Sequence, residues 1–190
     1  MKYWSKTALS VYRYLESMTE TVNKKIINTG SNSNKEGLLV YQSTYFQTSQ
    51  MIELIERKRK FINLKVAVEE TLATLSNIDR RILVLAYIDG VTSVIIAQLL
   101  NVSLRTYFRK KAAAIERFAD RMDKFGLNEK FFASEYGDEM WFMGVYNDIL
   151  SAGITDDALE KPTIHRMFSQ ISKVNPIWIK CYQYFLTSLF

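Results

Sequence analysis

The sequence predicts an all-α protein with a helix-turn-helix at its centre, flanked by N- and C-terminal helices. Three observations predict it. Seven Gly and two Pro in 190 residues leave few chain breakers, which disfavours the short strands and frequent turns of a β-sandwich. Apolar residues recur at spacings of three, four and seven. Between 76 and 126 a series of capping and turn residues divides the chain into three short helices. A hydrophobic share of 48%, with 13% aromatic, is enough for a core and excludes disorder. The expected division is an N-terminal helical segment at 1–75, a helix-turn-helix domain at 76–126 and a C-terminal helical segment at 127–190.

The first helix is expected over 3–28, from the spacing of Trp4, Val11, Leu15, Met18, Val22 and Ile26. The stretch from Asn28 to Gly37 is rich in Asn, Ser and Gly and reads as a loop. Tyr41 to Leu75 reads as one long helix, or two in line. It carries the basic run Arg57-Lys58-Arg59-Lys60, ordinarily a solvated face and otherwise a phosphate-contacting edge.

Ser76 is a good N-cap, with Asp79 three residues later as a short capping-box partner. The apolar helix Ile78–Ile88 follows and ends at Asp89-Gly90. Thr92 or Ser93 caps a short helix from Val94 to Leu100. Asn101-Val102-Ser103 makes a tight turn, because Asn tolerates the left-handed backbone. Ser103 caps a third helix from Leu104 to about Lys124, and Gly126 stops it. Ala97 is the small residue that lets this helix cross the one before it. Val102 plugs the core, and Tyr107, Ala114, Phe118 and Met122 form the buried stripe. Further helices are expected over 128–136 and 138–150, with Gly153 ending that block. Pro162 suits the first turn of another, to about Lys173, and Pro176 begins the last.

Charge singles out the third helix. Residues 1–130 hold 21 basic against 13 acidic side chains, residues 131–160 hold seven acids and no Lys or Arg, and the last thirty hold four basic residues. Within 103–117, Arg105, Arg109, Lys110, Lys111 and Arg117 stand against Glu116 alone. A basic segment followed by an acidic one points to a polyanion partner. Arg105 and Arg109 are four apart and share a face near the helix start. An arginine there can take guanine O6 and N7 as a bidentate pair. Lys110 and Lys111 suit phosphates, although Lys111 also borders the buried stripe, where it would snorkel. The helix starts at Thr92 and Ser103 can hold phosphate through free amides. Leu104 and Phe108 either meet thymine methyls or pack under another helix. The acidic block either lies against the basic helix and screens it, or forms an acidic surface elsewhere.

The segment from Leu75 to Ala112 resembles region 4 of sigma-70-type RNA polymerase factors. It is also similar to the sigma-like phage and firmicute regulators of the ArpU and RinA kind. The marks are a helix ending in Tyr87-Ile88-Asp89-Gly90, then Ile96-Ala97, Leu100, Val102-Ser103 and Arg105-Thr106-Tyr107. The resemblance implies that the helix opening at Ser103 enters the major groove of promoter DNA, with Leu104, Arg105, Phe108 and Arg109 facing bases. The implied contact set is Thr92, Ser103, Leu104, Arg105, Thr106, Phe108, Arg109, Lys110 and Lys111. Asn101 replaces the usual Gly. Ile95 replaces a polar residue, often Glu, and with Val91 and Leu99 makes an extra apolar stripe. The flanking helices or a partner are expected to cover it. No segment resembles sigma region 2.

The reactive residues point away from an enzyme. His165 and Cys181 are the only His and Cys, too few for a zinc site. There is no Gly-rich phosphate loop, nucleophile elbow or triad. Trp141, Phe142 and Tyr146 are spaced as core. No cofactor, metal or membrane span is expected. The single Cys fits a reducing compartment, the cytoplasm. The expectation is therefore a DNA-binding transcription regulator with double-stranded DNA, and potentially RNA polymerase, as partners. The alternative is a protein–protein module without DNA binding of its own. Oligomeric state is open, a homodimer included.

Overall fold

The computed structural model describes residues 2–32, 40–152 and 161–171, and all regular structure among them is helical. No helix among the described residues is long and apolar enough to cross a membrane. The first expected helix is two. Helix α1 covers Lys2–Tyr12 and α2 covers Leu15–Asn32. The break at Arg13-Tyr14 contains neither Gly nor Pro. The Tyr14 amide closes a tight turn on the Val11 carbonyl (2.9 Å), and the Met18 amide on Tyr14 (2.9 Å) opens the next helix. Val11 and Leu15 are both fully buried on either side of it. Only a bend lets α1 enter the core while α2 runs along the next helix.

Helix α2 also continues past Asn28, where a loop was expected. Ser31 donates its hydroxyl to the Ile27 carbonyl (2.9 Å), so the polar side chain is satisfied without leaving the helix. At Gly30 a Cβ would lie 3.9 Å from the Met51 side chain, so tertiary packing outweighs the weak helix propensity of this stretch. Residues 33–39 of that expected loop lie outside the described residues. Helix α3 is one long rod, Val40–Ala73.

The central punctuation is met closely. Helix α4 spans Asn77–Leu83 and runs into a single π turn, Val84–Ile88. Helix α5 is Ser93–Leu99 and α6 is Leu104–Lys124. Helices α7 (Glu129–Tyr136), α8 (Met140–Ala152) and α9 (Lys161–Ile171) follow. Pro162 falls in the first turn of α9. Gly153, Cys181 and the helix expected from Pro176 lie outside the described residues.

One core draws on all three expected segments. Leu9, Val11, Leu15 and Met18 pack with Leu64 and Val68 of α3, Phe118 and Met122 of α6, and Phe132, Trp141, Phe142 and Val145. Trp4 stacks on Tyr146 with ring centroids 4.2 Å apart and faces Phe132 at 5.9 Å. Phe61 meets Trp141 edge-on at 4.8 Å. These aromatics are core, as their helical spacing implied.

The basic run on α3 is only partly a solvated face, with Arg59 exposed and Arg57 turned inward. The Arg57 guanidinium is buried. It donates to Glu139 (3.1 Å), to Glu53 (3.0 Å) and to the Ile171 carbonyl at the end of α9 (2.8 Å). Lys60 donates to the other oxygen of Glu139 (3.0 Å), and the Trp141 indole N–H reaches the same carboxylate (2.9 Å). Arg59 pairs with Glu135 (2.9 Å). Three of the four described acids of the 131–160 block are engaged away from the basic helix: Glu135 and Glu139 hold α3, and Asp148 pairs with Arg166 of α9, while Asp138 is exposed. Residues 156, 157 and 160 lie outside the described residues.

Glu139 is 8% exposed and compensates two cations, one of them buried. Removing one partner of such a network leaves uncompensated charge away from water. Glu139→Ala is expected to lower unfolding free energy by about 3 kcal/mol in urea denaturation; a loss below about 1 kcal/mol would place these charges in effective contact with solvent.

Candidate nucleic-acid interface

The interface is assembled by local backbone rules. At the start of α4 the Ser76 hydroxyl accepts from the Asp79 amide (3.2 Å) and donates to the Asp79 carboxylate (2.8 Å). The same carboxylate receives two N–H groups of Arg117 on α6, at 2.6 and 2.7 Å. This bidentate pair fixes α4 against α6. It also removes Arg117 from the charge available to a polyanion. Arg117 lies 38 positions from Asp79, so the sequence offered the cap but not its second use.

Beyond α4 the π turn carries Tyr87, buried beneath the Lys111 ammonium at 5.1 Å from its ring centroid. Gly90 takes φ +66° and ends this helix. The turn between α5 and α6 is closed by the Asn101 amide on Gln98 (3.0 Å) and the Val102 amide on Ala97 (3.0 Å). Asn101 sits at φ +51°, the one positive φ outside glycine among the described residues. It performs the role in which glycine is usual. Ile82, Ile96, Ala97 and Tyr107 form a small separate core, sealed by half-buried Leu100 and Val102. Ser103 caps α6 by accepting from the Thr106 amide (3.2 Å) and bonds the Thr106 hydroxyl (3.0 Å).

The candidate contact residues then fall into place. Ser103, Leu104, Arg105, Phe108 and Arg109 are exposed, while Thr106 and Lys110 are half-buried. Arg105 and Arg109 stand one turn apart on the exposed side of α6, with Leu104 and Phe108 beside them and no described helix above. Two expectations need correction. Lys111 is only 3% exposed; its ammonium lies over the Tyr87 ring, an attractive cation–π contact, and it does not face outward. Thr92 holds the N-cap position of α5 in extended backbone, but its hydroxyl makes no capping bond.

Of the two covers expected for the apolar stripe around α5, flanking helices or a partner, the described helices supply none. Val91 is half-buried, but Ile95 and Leu99 are 47% and 53% exposed, and Val94 joins them. No described helix covers this face. Further along the side of α6 that carries Arg105 and Arg109, Lys2 of α1 pairs with Glu116, a contact that nothing in the local sequence announced.

The hydrogen bonds from Arg117, then those from Ser76, hold the Asp79 carboxyl below its ordinary 3.8, against the opposing effect of burial. A carboxylate depressed in the folded state adds stability that is complete above its unfolded pKa and disappears as pH falls through the folded value. Melting temperatures of the native chain and Asp79→Asn are therefore expected to differ most at neutral pH and to converge below about pH 3. A gap that stays constant down to pH 2 would show that the pair is not coupled to folding.

With this geometry in view, residues 65–117 match the family described as Sigma-70, region 4. The match begins in the last turns of α3 and ends at Arg117, so it takes in α4, the π turn, α5 and most of α6. No curated protein and no solved structure matches the chain. The matched segment is a sigma-70 region 4-like helix-turn-helix, set within an all-α fold.

Proposed function

We propose that the chain is a sequence-specific DNA-binding transcription regulator that places the N-terminal turns of α6 in the major groove. The observation that carries this reading is the open face of α6 just after the Asn101 turn, where Arg105 and Arg109 project with no acidic partner between them. In a helix-turn-helix the second helix lies in the groove and its first residues meet base edges. Arg105 and Arg109 are assigned to bases, most naturally guanine. Leu104 and Phe108 are assigned to thymine methyls. Ser103, Thr106, Lys110 and Thr92 are assigned to the sugar-phosphate backbone, which sets register. The chemistry is binding, not catalysis, and the cytoplasm is the compartment in which such a regulator acts.

A second reading has its own support. The uncovered Val94, Ile95 and Leu99 on α5 form an apolar face beside the basic one. Such a face suits a protein partner, RNA polymerase or another regulator, with or without DNA. The two readings separate by salt: binding through several phosphates falls linearly with the logarithm of salt concentration, and an apolar contact does not.

The test is selection of bound duplexes from genomic fragments, followed by titration of the enriched sequence. Arg105→Ala and Arg109→Ala are each expected to weaken binding to it by about 1–3 kcal/mol while leaving random duplex less affected. Equal affinity of both variants for the enriched sequence would reject α6 as the recognition helix.

A further inference from the structure

Arg13 lies in the turn between α1 and α2, far in sequence from the helix-turn-helix. Its guanidinium nonetheless sits against the backbone of Gly90: a Cβ built on Gly90 would fall inside the Arg13 guanidinium. Gly90 therefore serves two ends. It takes a positive φ, and it leaves open the seat that Arg13 occupies. The Tyr14 ring supports the same guanidinium, at 5.5 Å from its centroid.

Arg13 is exposed. Neither it nor Asp89, the acid next to its seat, forms an ion pair with a described residue. Arg57, Arg59, Arg117 and Arg166 are paired with carboxylates. Arg80, Arg81 and Arg121, like Arg13, have no such partner among the described residues. What sets Arg13 apart is its seat at Gly90, beside the start of α5. Two residues beyond Gly90 comes Thr92, where α5 begins. Two residues span at most about 7 Å, so the Arg13 charge stands roughly 10 Å or less from the start of α5. In a helix-turn-helix the first of the two helices crosses the DNA backbone while the second occupies the groove.

We infer that Arg13 is a phosphate-contacting residue, by which the N-terminal segment extends the DNA footprint alongside the helix-turn-helix. The inference rests on the DNA-binding reading above and adds to it a contact outside residues 65–117. One guanidinium on a phosphate adds affinity without reading sequence. It also releases counterion, so its removal is visible as a change in salt slope.

The experiment is fluorescence anisotropy of the full chain with two probes, a random-sequence duplex and the genomically selected duplex, across a salt series. Arg13→Gln is expected to reduce the slope of log K against log salt by about 0.9 on both probes. That corresponds to about five-fold weaker binding near 0.15 M salt, taking the contact as neutral at 1 M. Arg13→Lys keeps a cation at the same place and is expected to keep the slope. An unchanged slope in Arg13→Gln, or an equal loss in Arg13→Lys, overturns the inference and leaves α6 as the reader of DNA. A pair of variants that both melt early assigns Arg13 to the fold and overturns it as well. A native chain that binds neither probe overturns the DNA-binding reading itself, a different result from either of these.

Discussion

Everything in this fold leans on α1. A surface helix buries one stripe and shows the rest to water. Helix α1 instead is buried continuously from Ser5 to Val11, packed against α3, α6, α8 and the π turn. A short helix enclosed on every side must carry small or satisfied polar groups where it is most crowded. Ser5, Lys6, Thr7 and Ser10 are those residues, and Thr7 bonds its hydroxyl back to the Tyr3 carbonyl (2.8 Å). Without such partners, burial of hydroxyls would oppose folding. Because α6 rests on α1 along its buried stripe, the aim of its basic end depends on a helix outside the segment that resembles sigma region 4. Trp4, slotted between α7 and α8, joins the C-terminal helices to the same support.

The distribution of charge follows from this packing. The acids behind residue 130 answer the basic run of α3, across a junction that also takes the end of α9 through the Ile171 carbonyl. The buried part of that junction is costly unless every charge is met, and Glu139 meets Arg57, Lys60 and the Trp141 indole at once. Among the described residues, Arg105, Arg109 and Arg13 are exposed without a carboxylate partner, as are Arg80, Arg81 and Arg121. The net charge of +5 therefore says little by itself; the relevant quantity is which cations the fold leaves without carboxylates.

The sequence made some of this legible and hid the rest, for definable reasons. Ser76, Gly90, Asn101, Ser103 and Gly126 could be placed because caps and positive φ are decided within three or four residues. The bend at Arg13-Tyr14 could not, since no residue there forbids a helix; the crowded core imposes the turn. The extension of α2 through Gly30 likewise reflects contact with α3. The π turn at 84–88 leaves no mark in residue types. Lys111 showed its ambiguity in the periodicity, falling between Tyr107 and Ala114 on the apolar stripe, but only the placement of Tyr87 decided it. Glu139, which meets Arg57, and Asp79, which meets Arg117, lie 82 and 38 positions away, beyond the reach of any local pattern. The open apolar face of α5 was visible as composition, while its lack of a cover is a property of the assembled helices.

The shape of α6 constrains how it can meet DNA. The helix has 21 residues, about 31 Å of length, more than the groove accommodates end to end. Along the side that carries Arg105 and Arg109, steps of three and four reach Ala112, then Glu116, Asp120 and Asp123, all exposed. The first two turns attract phosphates and the later turns repel them. Lys2 neutralises Glu116 but sits on α1, fixed to the body of the protein. On the DNA-binding reading proposed above, a helix so polarised would enter the groove by its N-terminal end and lift away where the charge reverses. The acids at 116, 120 and 123 thus complement the arginines at 105 and 109: one pair draws the helix in, and the others limit how far it goes.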